Sequence, residues 1–267
     1  MGGRKIIVCI KQIPDPEGPP SAFVIDSQGK KVIPQGIPPV INPFDENALE
    51  AALRLKENSG YKVVAISMVE KATMAVQVLR KALAVGADEL IILGDEHFKD
   101  LDSYSAAYVL SSAINKIDDY DLIFVGRQAA DWYFGQVGLT IAEILHIPSI
   151  SLAKCVSVDD GKVVVEKVRP NGYEKVKAPM PTLITMGSEI GDLRLPSVKD
   201  INDARKKPLT VWNMMDLRIE PHMLETRKIS KLFFPPSRLR KCVFIDGQSP
   251  QEKGENLALK LREDKVI

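Results

Sequence analysis

Two short apolar runs decide the fold, Leu90-Ile91-Ile92-Leu93 and Leu122-Ile123-Phe124-Val125, together with the helical pattern Ser103–Ile117 between them. Unbroken apolar runs of this length read as strands covered on both faces, and such strands joined through a helix belong to a parallel sheet. The alternation continues outward on both sides. Upstream, Lys5–Ile10 and Val63–Val69 read as strands and Ala72–Val85 as a helix; downstream, Gln136–Leu145 reads as a helix and Ser149–Val156 as a strand. The predicted class is α/β, with helices on both faces of a doubly wound, mostly parallel sheet.

Excursions interrupt this core. Phe23–Asp26 and Lys31–Ile33 flank Ser27-Gln28-Gly29-Lys30, a hairpin signal in a Pro-rich stretch. Asn42-Pro43 then pairs a capping side chain with proline at the first helical position, where a missing amide costs nothing. The helix body sets Ala48, Leu49, Ala52, Leu53 and Leu55 on one side, with Glu50 and Arg54 able to pair outside, and Ser59-Gly60 ends it. Past Val156, two segments around Asp159-Asp160-Gly161, then Lys175–Lys177 and Thr182–Thr185, are predicted as antiparallel additions. Beyond Gly187 the periodic order is lost in 191–195 and 200–208. The expected organisation is an α/β domain over 1–190 and an extended arm over 191–267, ending in a strand at 241–245 and a helix capped at Ser249-Pro250. A segment so poor in local core is expected to pack on a partner.

Composition narrows the chemistry. The 267 residues are 45% hydrophobic and 27% charged, with a formal net charge of +1, so no global field recruits nucleic acid or an anionic membrane. No apolar run approaches the ~20 residues of a membrane span, and a cytoplasmic location is expected. Three cysteines without paired spacing and three histidines argue against a disulfide framework or a zinc cluster. Cys9, inside the first strand, reads as a small buried hydrophobe. With no triad, no carboxylate pair and neither a G-x-G-x-x-G nor a P-loop motif, any redox or transfer chemistry must be a cofactor's.

Ligands of open parallel sheets sit beyond the carboxyl ends of the strands where strand order reverses. The strand at 122–125 feeds Gly126-Arg127-Gln128-Ala129-Ala130-Asp131-Trp132-Tyr133-Phe134-Gly135-Gln136-Val137-Gly138 into a helix, and free amides at such a start suit a phosphate or pyrophosphate. The same glycines also fit a plain turn. A second helix start, Asn42-Pro43-Phe44-Asp45, fits a plain N-cap equally well when taken alone. Only convergence of the two on one crevice would make them a site.

Taken together, Val8 to Asp15, Asn42 to Asp45 with Ala48 to Lys56, Ala82 to Asp88, Gly126 to Asp131 with Gln136-Val137-Gly138, Asp192 to Lys199 and Ala204 to Pro208 resemble the β subunit of electron transfer flavoproteins, in order and over essentially the whole chain. The resemblance implies a Rossmann-like domain of the adenine nucleotide α-hydrolase type holding an adenine nucleotide: AMP in simple carriers, a second FAD in electron-bifurcating members. Carried over by position, the cofactor site comprises Cys9, Asn42, Pro43, Phe44, Asp45, Met68 and the loop Gly126, Arg127, Gln128, Ala129, Ala130, Asp131, Trp132, Tyr133, Phe134, Gly135, Gln136 and Val137. Asn42 and Asp131 are the expected polar contacts, and the backbone of 135–137 the pyrophosphate cradle. Glu189 through Val198, with Leu195 and an apolar tip at Val198, corresponds to the loop that docks on a dehydrogenase.

Asp45 and the Gly126-Arg127-Gln128 wording are similar to the bacterial bifurcating branch. That branch implies NADH as electron donor, ferredoxin and an α subunit carrying FAD as acceptors, and a flavin dehydrogenase of acyl-CoA or lactate type as partner. An AMP-holding, non-bifurcating carrier and a stand-alone adenine-nucleotide sensor or ATPase are the alternatives. Trp132-Tyr133-Phe134 departs from the small or acidic residues usual there, and these rings are expected either to point outwards, since only backbone amides need face phosphate, or to cover the bound cofactor. Gly191 to Leu195 also departs from the usual docking-loop wording.

Overall fold

The computed structural model describes residues 4–224, 227–235 and 242–267. The chain divides into two compact units, Met1–Lys231 and Leu232–Ile267. The first begins with β1 (Lys5–Cys9), β2 (Gln12–Pro14), β3 (Phe23–Ile25), β4 (Val32–Pro34) and β5 (Pro39–Ile41), followed by α1 (Pro43–Ser59), β6 (Lys62–Val69), α2 (Ala72–Val85) and β7 (Glu89–Gly94). It continues with α3 (Ser103–Ile117), β8 (Leu122–Gly126), α4 (Val137–Ile144), β9 (Ser149–Asp159), β10 (Lys162–Arg169), β11 (Gly172–Pro179), β12 (Thr182–Met186), α5 (Val198–Ala204) and β13 (Leu209–Trp212).

Nine strands form one sheet in the order β11-β10-β9-β12-β8-β1-β6-β7-β13, and β2 with β5 and β3 with β4 form two small antiparallel pairs. From β1 the chain steps outward through β6 and β7, then returns to place β8 on the other side of β1, so strand order reverses between β1 and β8. Both neighbours run parallel to β1, with Cys9 level with Ile66 and with Val125.

Side chains alternate across the pleat and build two cores. Ile6 and Val8 face α1 and α2 with Leu49, Leu53, Leu79, Leu83 and Phe124. Ile7 and Cys9 face α3 and α4 with Ile91, Val109, Ile114, Ile123 and Ile141. Each such fully buried aliphatic or aromatic side chain contributes roughly 1.5–3 kcal/mol of transfer free energy. Helix ends follow local chemistry: the Asp102 carboxylate accepts from the Ser105 amide to start α3, and Gly60, at φ 70°, ends α1 in the left-handed region that favours glycine.

Four features differ from the sequence-based expectation. β12 is not an antiparallel addition; it lies parallel to β8 and to the start of β9 and fills the gap between them. Its residues Thr182–Met186 are all buried, which places them in the sheet's middle. The region past Gly187 is also more ordered than expected. α5 begins at a capping box in which Ser197 and Asp200 exchange bonds, β13 extends the sheet in parallel beside β7, and Met214, Leu217, Ile219 and Leu224 enter the second core. The compact unit thus runs to 231, well past the expected boundary at 190. Thirdly, Glu50 is buried rather than exposed: it accepts from both Arg54 and Arg194. Finally, no strand forms at 242–245, and Lys241 lies outside the described residues.

The second unit contains α6 (Pro250–Glu263), whose start is capped by Ser249 as expected: its Oγ accepts from the Glu252 amide. None of its described residues is buried, and Phe233, Phe234, Phe244, Leu257 and Leu259 are exposed. Among the described residues, no helix is long and apolar enough to cross a membrane.

Candidate functional site

The start of α1 and the loop that leads from β8 into α4 meet at the β1/β8 reversal. Asp45, in the first turn of α1, spans the carboxyl ends of both strands: one carboxylate oxygen accepts from the Lys11 amide at 2.8 Å and the other from the Gly126 amide at 3.1 Å. Asn42 does not cap its helix through its side chain. Instead it reaches into the loop after β8, where its Oδ1 accepts from the Ala130 amide at 3.1 Å and its Nδ2 donates to the Gln128 carbonyl at 2.9 Å. Buried and using both ends of its amide, Asn42 is a clamp on the glycine loop.

Close packing enforces this arrangement. A Cβ at Gly126 would fall 2.4 Å from Asp45 Oδ1 and 2.6 Å from the Phe44 carbonyl carbon, so no larger residue lets α1 approach β8 this closely. A Cβ at Gly135 would lie 3.0 Å from the Arg127 carbonyl oxygen. Between them Tyr133 sits at φ 57°, a conformation that costs a non-glycine residue of order 1 kcal/mol, with its amide bonded to the Ala129 carbonyl at 2.7 Å. The loop then enters α4, whose N-cap residue Gln136 supplies no side-chain bond, leaving the first amides and the positive end of the helix dipole open.

The electrostatics are mixed. Burial raises the Asp45 carboxyl to about 7 despite the two amides that favour its charged form. Burial, and then the nearby Asp45, push the Cys9 thiol up, so Cys9 is a neutral filler beneath the crevice. Lys11 Nζ pairs with Asp131 Oδ2 at 2.6 Å. The Arg127 guanidinium lies 4.6 Å from the centre of the Phe44 ring, an attractive cation–π arrangement. Among the described residues, Arg127 Nε and Gln12 Oε1 are buried without a hydrogen-bond partner. Buried unpaired polar atoms are uncommon and costly, and the Arg127 donor, in the loop that leads to the uncapped start of α4, fits an anionic, phosphate-bearing ligand.

Residues 30–217 match the electron transfer flavoprotein domain. The chain is 34% identical over 268 residues to the caffeyl-CoA reductase-Etf complex subunit CarD of Acetobacterium woodii, covering 98% of this chain and 100% of that protein. It is 41% identical over 220 residues to the electron transfer flavoprotein subunit beta of Thermoanaerobacterium thermosaccharolyticum, covering 82% of each, and 34% identical over 264 residues to protein FixA of Azotobacter vinelandii, covering 94% of this chain and 91% of that one. The chain belongs to the electron transfer flavoprotein β-subunit family.

Of the positions carried over from that family, the structure brings together Asn42, Phe44 and Asp45 with Gly126, Arg127, Gln128 and Ala130, with Cys9 directly below. Asp131 joins them through Lys11. Pro43 serves as the first residue of α1. Met68, half-buried on β6, packs against the second core and makes no hydrogen bond to the loop. Ala129 contributes its carbonyl to the Tyr133 turn. Trp132, Tyr133 and Phe134 are exposed, the rings of Trp132 and Phe134 stacked with centroids 6.0 Å apart. Gln136 and Val137 form the open start of α4. Leu195 and Val198 are 87% and 78% exposed, an apolar tip held at its base by Arg194.

Sequence reasoning missed Lys11 in this site. The signal was present in its place: it directly follows the first strand of the sheet, where doubly wound folds put ligand-facing residues.

Proposed function

We propose that the β1/β8 crevice holds the adenylate and pyrophosphate of FAD, and that the chain is the small subunit of a bifurcating electron transfer flavoprotein working with an α subunit. The observation that carries this reading is the clamp. Asn42 and Asp45 tie the start of α1 to Gly126, Gln128 and Ala130, in the loop that runs on to the uncapped start of α4, and the unpartnered Arg127 Nε lies in the same loop. The chain's groups bind and orient: amides and the helix dipole take the phosphates, Asn42 and Asp45 set the loop, and Arg127 stacked on Phe44 adds a positive charge without a transferable proton. A bound FAD would supply the electron chemistry, taking two electrons from NADH and delivering one to ferredoxin and one towards an FAD on the α subunit.

The relative named as a subunit of a caffeyl-CoA reductase-Etf complex supports a partner of acyl-CoA type, with a lactate-type flavin dehydrogenase as the alternative. The exposed tip at Leu195 and Val198 supports docking at that surface, and the core-poor second unit supports packing on the α subunit. Purification with the α subunit, followed by flavin absorbance and nucleotide analysis, tests the reading. Two FAD per heterodimer are expected; one FAD with one AMP would make the chain a non-bifurcating carrier, and a colourless homodimer without a partner would leave the sensor or ATPase alternative.

A further inference from the structure

Lys11 is anchored at both ends. Its carbonyl accepts from the Asn42 amide and its amide donates to Asp45, each at 2.8 Å, so its backbone is fixed to the first turn of α1. From that base its ammonium crosses to Asp131 at 2.6 Å. Asp131 lies in the loop that leads to the open amides of 135–137, and its carboxylate side chain is only 21% exposed. A carboxylate there opposes any anion entering the crevice, and the buried Asp45 carboxyl stands close by. Arg127, whose guanidinium lies over the Phe44 ring, pairs with neither carboxylate, which leaves Lys11 as the cation opposite Asp131.

We propose that Lys11 is a positioning residue for the nucleotide, acting as the counter-ion that neutralises Asp131 and holds the loop for phosphate bound by main-chain amides, rather than as a phosphate ligand itself. This deepens the nucleotide reading and rests on it. The two roles give opposite results in a double-mutant cycle. A direct ligand is lost whatever stands at 131, whereas a counter-ion is needed only while 131 is charged.

The experiment titrates AMP and FAD into the full-length wild-type chain, Lys11→Met, Lys11→Arg, Asp131→Asn and the Lys11→Met/Asp131→Asn double variant, following heat of binding and flavin fluorescence. Lys11→Met is expected to weaken binding about tenfold or more, since an uncompensated carboxylate then faces the phosphate. Lys11→Arg is expected to stay within about threefold of wild type, because the charge remains. In the Asp131→Asn background the Lys11→Met change is expected to cost less than about threefold. An undiminished tenfold loss in that background, or no loss from Lys11→Met alone, overturns the proposal. Should Lys11→Met not fold, Lys11→Gln takes its place in the same cycle. A wild-type chain that binds neither AMP nor FAD would remove the nucleotide reading and this proposal with it, whereas normal wild-type binding without coupling removes only the proposal.

Discussion

Replacing Asn42 by alanine separates an ordinary helix cap from the clamp described above. The side chain is 1% exposed and makes two bonds, at 3.1 Å from the Ala130 amide and 2.9 Å to the Gln128 carbonyl. Removing it leaves a main-chain donor and an acceptor without partners in a part-buried loop, each worth about 1–3 kcal/mol, so the expected destabilisation is about 2–6 kcal/mol. Loss of a plain cap would cost about 1 kcal/mol and act on α1 alone. Asn42→Asp refines the test: it keeps the acceptor for Ala130, loses the donor to Gln128, and sets a second carboxylate beside Asp45. Urea unfolding gives the energy and amide hydrogen exchange gives the place. Exchange at Ala130 should accelerate in Asn42→Ala and less so in Asn42→Asp. A loss near 1 kcal/mol with Ala130 protected as in wild type would refute the clamp.

Other consequences follow from the same geometry. Gly126→Ala should destabilise the fold by about 1–3 kcal/mol from overpacking alone, and weaken nucleotide retention, because the new methyl meets backbone atoms of α1 that have no rotamer to change; unchanged urea midpoint and nucleotide content would contradict the close approach. Asp45 keeps its proton in the folded chain up to about pH 7 but loses it near pH 4 when unfolded, so its contribution is full in acid and falls as pH rises between those values, by about 4 kcal/mol, then stays level. Urea midpoints at pH 4 to 8 should show that fall in wild type and a flatter profile in Asp45→Asn; parallel profiles would count against it. Burial alone would raise the Glu50 carboxyl, yet hydrogen bonds from Arg194 and Arg54 hold it below the usual carboxylate range. Glu50→Gln should therefore cost about 1–2 kcal/mol, reduced by the partial exposure of both guanidiniums, and speed proteolysis within 191–196, with an unchanged cleavage pattern as the contrary result. Val198→Asp, at the exposed tip, should impair electron delivery to the dehydrogenase while bound flavin is retained, and loss of flavin in that variant would argue against docking there.

Much of the framework was legible because it is local. The helices at 72–85 and 103–117 and the strands at 63–69, 89–93 and 122–125 announce themselves by periodicity, and the hairpin at 23–33 by its turn residues. What escaped is pairing between distant segments. Nothing within Thr182–Thr185 says that it slots between β8 and β9, since a buried apolar run fits a parallel or an antiparallel neighbour alike. α5 was missed although Ser197-Val198-Lys199-Asp200 carries a capping-box signal, because the seven residues that follow the cap are too short and polar to show a period. For the site, the glycine loop and the Asn42-Pro43 helix start were visible as fragments, whereas the exchange of bonds between Asn42 and 128–130 belongs to the folded chain. Glu50 read as a surface partner of Arg54, because the second guanidinium comes from Arg194, 144 positions away.

α1 is gripped at two places along its length. Its first turn holds the crevice through Asn42 and Asp45; further on, Asn47 donates to the Gly191 carbonyl, Arg54 to the Ile190 carbonyl, and Glu50 and Glu57 receive Arg194. A helix of 17 residues is a stiff rod about 25 Å long. The glycine loop of the crevice and the stem of the exposed tip are thus bolted to one beam, and a tilt of that beam displaces both ends together.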